Sequence, residues 1–293
     1  MKYLRCLFAT VWTLLLLASL SWSNPDYKDD ELNACLKDIS HSADAIADLK
    51  KCEKSIKSIS QRNDRAKTLL YLGRMHLQLP NALMYRFAST GGSHYSEGKK
   101  KFNTFGKSRP NEYYYNEIGG QYIYNGYHFK KIIDSFSETE YVDDAAFEMA
   151  KLPQGGECEG WLDCYIERSS KPIYEFLVKY SSSPLASDAV AKANSILQNS
   201  FDSWFKYFGS PKDLAQPSEG YDPPRIKASL YDYEKSTKNL RKEDRASAFM
   251  AIAAAWSCIG NKSEADRLYH LILKEIPEHP GSKEALQNLS KEK

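Results

Sequence analysis

Histidine and carboxylate side chains are the groups in this chain that could ligate a metal or catalyse hydrolysis, but they match none of the common catalytic motifs. The sequence contains no HExxH, no G-x-S-x-G, no G-x-x-x-x-G-K-[ST] phosphate-binding loop and no CxxCH. A scattered histidine is more often packed or exposed than functional. We therefore expect no catalytic residue, no metal site and no cofactor. The six histidines are His41, His76, His94, His128, His270 and His279.

Two acidic residues near an aromatic ring raise the question of glycoside cleavage. Glu157 and Glu159 lie close to Trp161 in the sequence. A glycosidase needs two acids on opposite sides of a cleft. Nothing else in the chain resembles the catalytic domain of a peptidoglycan-cleaving enzyme, so we expect these carboxylates to be solvated loop residues.

Cysteines give the clearest covalent prediction. The pairs nearest in sequence are Cys35 with Cys52 and Cys158 with Cys164, which leaves Cys258 over. Neither pair has CxxC spacing or a nearby histidine, so we expect two disulfides rather than a metal site. Other pairings stay open on sequence grounds. Disulfides would place the protein in an oxidising compartment.

The first 23 residues have the pattern of a signal peptide. Lys2 and Arg5 precede an apolar run over 7–20, and small residues precede a cleavage site after Ser23. The run is short for a membrane span of about 20 residues, which disfavours an uncleaved anchor. Cys6 precedes the apolar run, so it is not placed to carry lipid. We expect a periplasmic or secreted protein without stable membrane insertion.

Composition narrows the possible partners. Forty basic and 38 acidic residues give a formal net charge of +2, which favours no nucleic-acid partner. With 293 residues and 42% hydrophobic content, the chain is long enough to bury a large core. That core could belong to one long array or to two packed parts.

One sequence pattern occurs three times and predicts how the elements are arranged. Each copy reads as the apolar end of one helix, a short breaker and the start of another helix. Such a joint is typical of an α-solenoid built from antiparallel helical hairpins, in which each hairpin packs on its neighbours. The positions in register are Phe136, Tyr180 and Ile276, the acids Asp144, Asp188 and Glu284, and the alanines Ala145, Ala189 and Ala285.

The remaining pattern predicts a domain organisation for the all-α chain. A helical-repeat region over 24–209 contains an irregular Gly-, Lys- and Tyr-rich insertion near 85–112, where helical periodicity fails. A linker over 210–224 precedes a C-terminal unit over 225–293 with a capping helix. The tyrosines after the insertion could pack in the array or form a ligand platform. They include Tyr113, Tyr122 and Tyr127.

The C-terminal unit carries the most specific pattern. Large, small and aromatic side chains alternate on two helices separated by a glycine, and a proline ends the unit. The set is Phe249, Ile252, Ala253, Trp256, Gly260, Ala265, Tyr269 and Pro277. This pattern resembles a tetratricopeptide repeat (TPR), and the earlier joints resemble the divergent repeats of bacterial cell-envelope proteins such as outer-membrane assembly lipoproteins. Two departures are the missing lipid site and an insertion around 155–161.

The resemblance implies a protein–protein scaffold without catalysis. The first helix of such a repeat usually presents its non-core side to a partner. Here that side holds Ser247, Met250, Ala254 and Ser257. The first hypothesis is therefore an exported scaffold that binds another protein, with Tyr113, Tyr122 and Tyr127 as further surface candidates. The second is a periplasmic protein that binds or cleaves glycan through aromatic patches over 113–127 and 201–208.

Overall fold

The computed structural model describes residues 35–85, 92–152, 158, 161–208 and 222–290, and the described chain is mostly helical. The predicted signal peptide lies outside the described residues, as does most of the predicted linker. The described residues up to Leu152 form one compact unit, here called the N-terminal unit, and those from Cys158 onward form a second, the C-terminal unit.

The N-terminal unit contains five helices, one π-helical turn and one β-hairpin among its described residues. They are α1 (Ala45–Ile56), α2 (Arg62–Pro80), the π-helical turn Asn81–Tyr85, α3 (Gly92–Lys107), β1 (Tyr113–Asn116), β2 (Gln121–Tyr124), α4 (Tyr127–Ser135) and α5 (Val142–Ala150).

Helical spacing of apolar residues explains why α1 forms and what it buries. Ala45, Leu49, Cys52 and Ile56 follow one another at intervals of three or four residues, and all are buried. The opposite face carries lysines. The predicted Cys35–Cys52 disulfide is confirmed and joins α1 to the segment before it. α2 packs against both α1 and α4, and α4 packs against α5.

The irregular insertion predicted near 85–112 is wrong for most of its length. Residues 92–107 form α3, and its Phe102 and Phe105 are buried in the core. The sequence did not predict this helix because it is rich in lysine and glycine and because few apolar residues form its buried face. α2 ends at Pro80, and the chain continues directly into the π-helical turn.

The mostly helical structure agrees with the all-α prediction, and the tyrosine-rich segment adds two short strands. β1 and β2 pair antiparallel, with Tyr113 opposite Tyr124 and Tyr115 opposite Tyr122. Aromatic residues favour strands, and cross-strand ring contacts stabilise a short hairpin. The hairpin packs on α3, which covers one of its faces.

The C-terminal unit contains six helices among its described residues. They are α6 (Leu162–Lys179), α7 (Ala186–Phe208), α8 (Pro223–Ser236), α9 (Lys242–Cys258), α10 (Lys262–Glu275) and α11 (Pro280–Ser290). The linker predicted at 210–224 lies mostly outside the described residues, and α6 before it and α8 after it pack against each other in one unit.

Contacts between helices fix their relative directions. Arg225 near the start of α8 pairs with Asp163 near the start of α6, and further along the same helices Tyr233 stacks on Tyr174 at 4.6 Å. α6 and α8 therefore run side by side in the same direction. α7 and α9 do the same, because Arg241 at the start of α9 bonds Ser187 and Ser247 bonds Asn194.

The three joints in register have the same structure, as the sequence predicts. Phe136, Tyr180 and Ile276 each follow the last residue of a helix, and each backbone N–H donates to the carbonyl four residues earlier at 2.8, 2.8 and 2.9 Å. Each carbonyl then accepts from the N–H three residues later, at Thr139, Ser183 and His279. The alanines in register have no exposed surface; they are Ala145, Ala189 and Ala285.

The patterned residues predicted between 249 and 277 lie on and around α9 and α10. Their large and small side chains are buried, with Trp256 and Ala253 fully enclosed. Gly260 ends α9 with a φ of 74°, a conformation that glycine adopts without strain. The amides of Gly260 and Asn261 donate to Ser257 and Trp256, which is the Schellman pattern of a helix end.

The other predicted disulfide, Cys158–Cys164, is confirmed at the entry to α6. Two disulfides fit an oxidising extracellular compartment. Within the described residues, no helix combines the length and apolar character needed to cross a membrane.

Candidate functional site

The proposed partner surface on α9 is partly occupied by the protein itself. Ser247 accepts a hydrogen bond from Asn194 of α7 at 3.2 Å, and Met250 lies where α11 begins. Ala254 and Ser257 remain exposed. The four residues therefore share one helix, with Ser247 and Met250 half-buried and Ala254 and Ser257 exposed.

The tyrosines proposed as surface residues separate into different environments. Tyr113 is 2% exposed and lies in the core with Tyr124. Tyr122 is half-buried against α3, whereas Tyr127 is 39% exposed. They do not form one platform. The aromatic patch at 201–208 is also divided, because Phe201 and Trp204 are buried.

A cluster of titratable side chains lies inside the N-terminal unit, and we call it the histidine–carboxylate cluster. It consists of His76 on α2, His128 on α4, Glu53 on α1, and Arg109 and Glu112 in the segment between α3 and β1. Both histidines are buried, at 0% and 5% exposure. The two glutamates keep 25% and 18% of their side-chain surface, so the cluster reaches solvent through its carboxylates.

Close approach of α2 and α4 brings the histidines together. Gly73 faces the ring of Phe129, and a Cβ at position 73 would overlap that ring. The absence of a side chain therefore allows the two helices to pack closely. One turn beyond, the rings of His76 and His128 stack with centroids 4.7 Å apart.

The hairpin tyrosines orient both imidazoles. The Tyr113 hydroxyl lies 2.6 Å from His76 Nδ1, and the Tyr124 hydroxyl lies 3.0 Å from His128 Nδ1. Tyr124 also accepts a hydrogen bond from the His128 amide at 2.9 Å. The tautomer of each histidine decides whether its ring nitrogen or the tyrosine hydroxyl donates the hydrogen bond. Either tautomer fixes the ring plane and directs the other ring nitrogen.

Arg109 joins the two carboxylates. Its guanidinium binds both oxygens of Glu53, one of them at 2.9 Å, and it donates to Glu112 at 3.0 Å. His76 Nε2 lies 3.6 Å from Glu112 and 3.9 Å from Glu53. Both distances exceed a hydrogen bond. His76 Nε2 is a buried nitrogen without a hydrogen-bond partner.

Burial keeps both imidazoles neutral. Loss of hydration lowers the pKa of His76 well below its usual value, and the neighbouring His128 and Arg109 lower it further. Burial likewise lowers the pKa of His128 to about 3, with smaller effects from Lys131 and Arg109. Neutral imidazole has a free lone pair, which is the form that ligates metals.

Three members of the cluster are placed as metal ligands. One ligand atom from each of His76, Glu112 and His128 lies within 4.8 Å of the others. Sequence reasoning treated the histidines separately and expected each to be packed or exposed. The signal it missed was a pair of histidines on apolar helix faces, together with a tyrosine-rich segment able to hydrogen-bond them.

A second polar feature lies on the surface of the N-terminal unit. A shallow cleft of about 390 Å³ lies along α3, with Lys99, Lys100, Lys107 and Tyr122 among its lining residues. Lys99 donates to the Gly119 carbonyl at 3.1 Å, so that ammonium group helps to hold the hairpin turn.

Comparison with known proteins gives no relative: no family model, no curated protein and no solved structure matches the chain.

Proposed function

We propose that the protein is an exported, non-catalytic scaffold that binds another protein through a TPR-like helical surface in the bacterial cell envelope. The observation that carries this proposal is the stacking of hairpins in the C-terminal unit. α6 and α7 form one hairpin and α8 and α9 form the next, with like helices side by side and parallel. Stacked hairpins of this kind form extended surfaces that bind other proteins.

Exposed apolar side chains on this stack support a partner. Trp161 and Tyr165 lie one turn apart at the start of α6 and are 38% and 47% exposed. Val178 on the same helix is 61% exposed. Single exposed apolar residues are common, whereas adjoining ones mark surfaces that another molecule covers. Trp161 and Tyr165 are such an adjoining pair. Ala254 and Ser257 on α9 are a second exposed set to test.

The glycan alternative has less support. Of its aromatic patches, Tyr113, Phe201 and Trp204 are buried and offer no open ring face, whereas Tyr115 and Tyr127 are 50% and 39% exposed. Sugar binding through aromatic rings requires an accessible face. We therefore keep the protein-binding proposal alone.

Site-directed photo-crosslinking in envelope extract tests the proposal. A crosslinker at Ala254 or at Tyr165 should capture the same discrete partner, and Tyr165→Glu should reduce that capture in the Ala254-labelled protein. A crosslinker at Lys283, an exposed position on α11, is the matched control. Capture of nothing from both test positions, or of the same species from Lys283, would contradict the proposal.

A further inference from the structure

His76 on α2 has one ring nitrogen that is left without a hydrogen bond. Its side chain is fully buried, and Nε2 has no hydrogen-bond partner. Leaving a buried polar atom without a hydrogen-bond partner destabilises the folded protein. Buried nitrogens of this kind are rare and call for an explanation such as a bound ion.

The distance between the His76 and Glu112 side chains agrees with two ligands of one metal ion rather than with a direct hydrogen bond. His76 Nε2 and Glu112 Oε2 are 3.6 Å apart. Two ligands of a tetrahedral zinc ion, each about 2.1 Å from the metal, lie about 3.4 Å from one another. The separation is therefore too long for a direct bond and close to the value for two atoms that share one metal ion.

The charges of the cluster also leave room for a cation. Glu53 and Glu112 contribute two negative charges and Arg109 one positive charge, so the ion-paired group has a net charge of −1. Because Arg109 holds both oxygens of Glu53, Glu112 is the carboxylate that is less completely paired. Neutral histidines add ligands without adding positive charge.

The surrounding hydrogen bonds resemble the outer shell of a metal centre. Metal-binding histidines commonly hold their second ring nitrogen in a hydrogen bond, which sets the tautomer and the ring direction. Tyr113 and Tyr124 contact the Nδ1 atoms of His76 and His128 in this way. In the tautomer that donates from Nδ1 to Tyr113, the Nε2 lone pair of His76 faces the carboxylates.

We propose that His76, His128 and Glu112 bind one divalent transition-metal ion, with zinc as the ion that best suits the ligands. Two imidazole nitrogens and one carboxylate oxygen are a common ligand set for zinc, whereas magnesium and calcium require mostly oxygen ligands. The ion joins α2, α4 and the segment before β1.

Metal content and spectroscopy test the site. Untagged protein, stripped with a chelator and reloaded with Zn²⁺, should retain about one ion per chain after gel filtration, as measured by mass spectrometry of the metal. Co²⁺ should give the visible bands of a four-coordinate site without a thiolate band, and excess Mg²⁺ should not compete. A thiolate band would instead place the ion on Cys258.

Matched variants identify the ligands. Glu112→Gln keeps the shape of the side chain and its hydrogen bond from Arg109, and should weaken Co²⁺ binding more than about 100-fold, as should His128→Gln. Tyr113→Phe, which removes only the outer hydrogen bond, should weaken it roughly tenfold. His270→Gln, at an exposed position on α10, should bind as the wild type does.

Near-ultraviolet circular dichroism of each metal-free variant checks its folding. If His128→Gln does not fold, Glu112→Gln and Tyr113→Phe still decide the question. Equal Co²⁺ affinity of the wild type and a folded Glu112→Gln protein, or loss of all Zn²⁺ during gel filtration of the wild type, would overturn the proposal.

Discussion

The two units bury different chemistry. The interior of the N-terminal unit contains the histidine–carboxylate cluster, whose members must balance one another's charge and hydrogen-bonding needs. The interior of the C-terminal unit depends on small and aromatic side chains, as where Ala253 lies beside the enclosed Trp256. We therefore expect the stability of the first unit to depend on pH, and that of the second to depend mainly on packing.

Removing the largest enclosed side chain should have the largest effect. Trp256→Ala leaves a cavity where the indole is fully buried, and such truncations cost about 3–5 kcal/mol. Urea unfolding of the C-terminal unit, followed by fluorescence of Trp161 and Trp204, should shift to lower urea by that free energy. Hydrogen exchange in α2 and α4 should stay unchanged; equal loss of protection there would show that the units do not differ in this way.

The two disulfides should contribute unequally. Replacing Cys35 and Cys52 with serine opens a loop whose ends are 17 residues apart, and loop entropy predicts a loss of about 3 kcal/mol. The same change at Cys158 and Cys164, which are 6 residues apart, should cost about 2 kcal/mol. Chemical denaturation of both double variants gives the comparison. A greater loss for the second pair would reverse the expected order.

Acid should destabilise the metal-free N-terminal unit selectively. The folded-state pKa of His128 is about 3, below an unfolded value near 6.5, so the unfolded chain binds more protons between these values. The stability contributed by neutral His128 is complete above pH 6.5 and decreases as the pH falls toward 3. At pH 5 the loss is about 2 kcal/mol.

His76, whose pKa is also lowered by burial, acts in the same direction. Glu53, Glu112, Arg109 and Lys131 are the charged groups around the pair. Hydrogen exchange at pH 7.5 and pH 5, corrected for intrinsic rates, should show α2 and α4 losing protection before α7 and α9. In folded His128→Gln this pH dependence should be weaker; an unchanged dependence would exclude His128 as its source.

Small changes at the repeated joints should be equivalent in both units. Ala145, Ala189 and Ala285 are each fully buried one turn into the helix that follows a joint. Replacing any one with valine adds two methyl groups to a packed site and should cost about 1–2 kcal/mol. Thermal unfolding measures the three losses, and a negligible loss at one position would show that its joint is packed differently.

Local features were predictable from the sequence. The joints were predictable because their hydrogen bonds span only a few residues. The Phe136 N–H donates to the Ile132 carbonyl, and the Thr139 N–H donates to the Phe136 carbonyl. The disulfides were predictable because their cysteines are close in sequence. The helix α3 and the hairpin were not, since few apolar residues mark α3 and Tyr113 reads equally well as helix or strand.

The histidine–carboxylate cluster could not be predicted from spacing. Its members extend from Glu53 to His128, and only tertiary packing, such as that of Gly73 against Phe129, brings them together. The missing information was the crossing of α2 and α4. Histidines at fixed spacing on one helix would have been recognised; histidines on two helices were not.

The recurring joint sets the direction of the helix that follows it but does not set the length of that helix. The helices that follow the three joints have 9, 23 and 11 residues. At 1.5 Å per residue they extend over about 14, 35 and 17 Å. The same backbone hydrogen bonds and one buried alanine thus form a corner that is followed by helices of very different length.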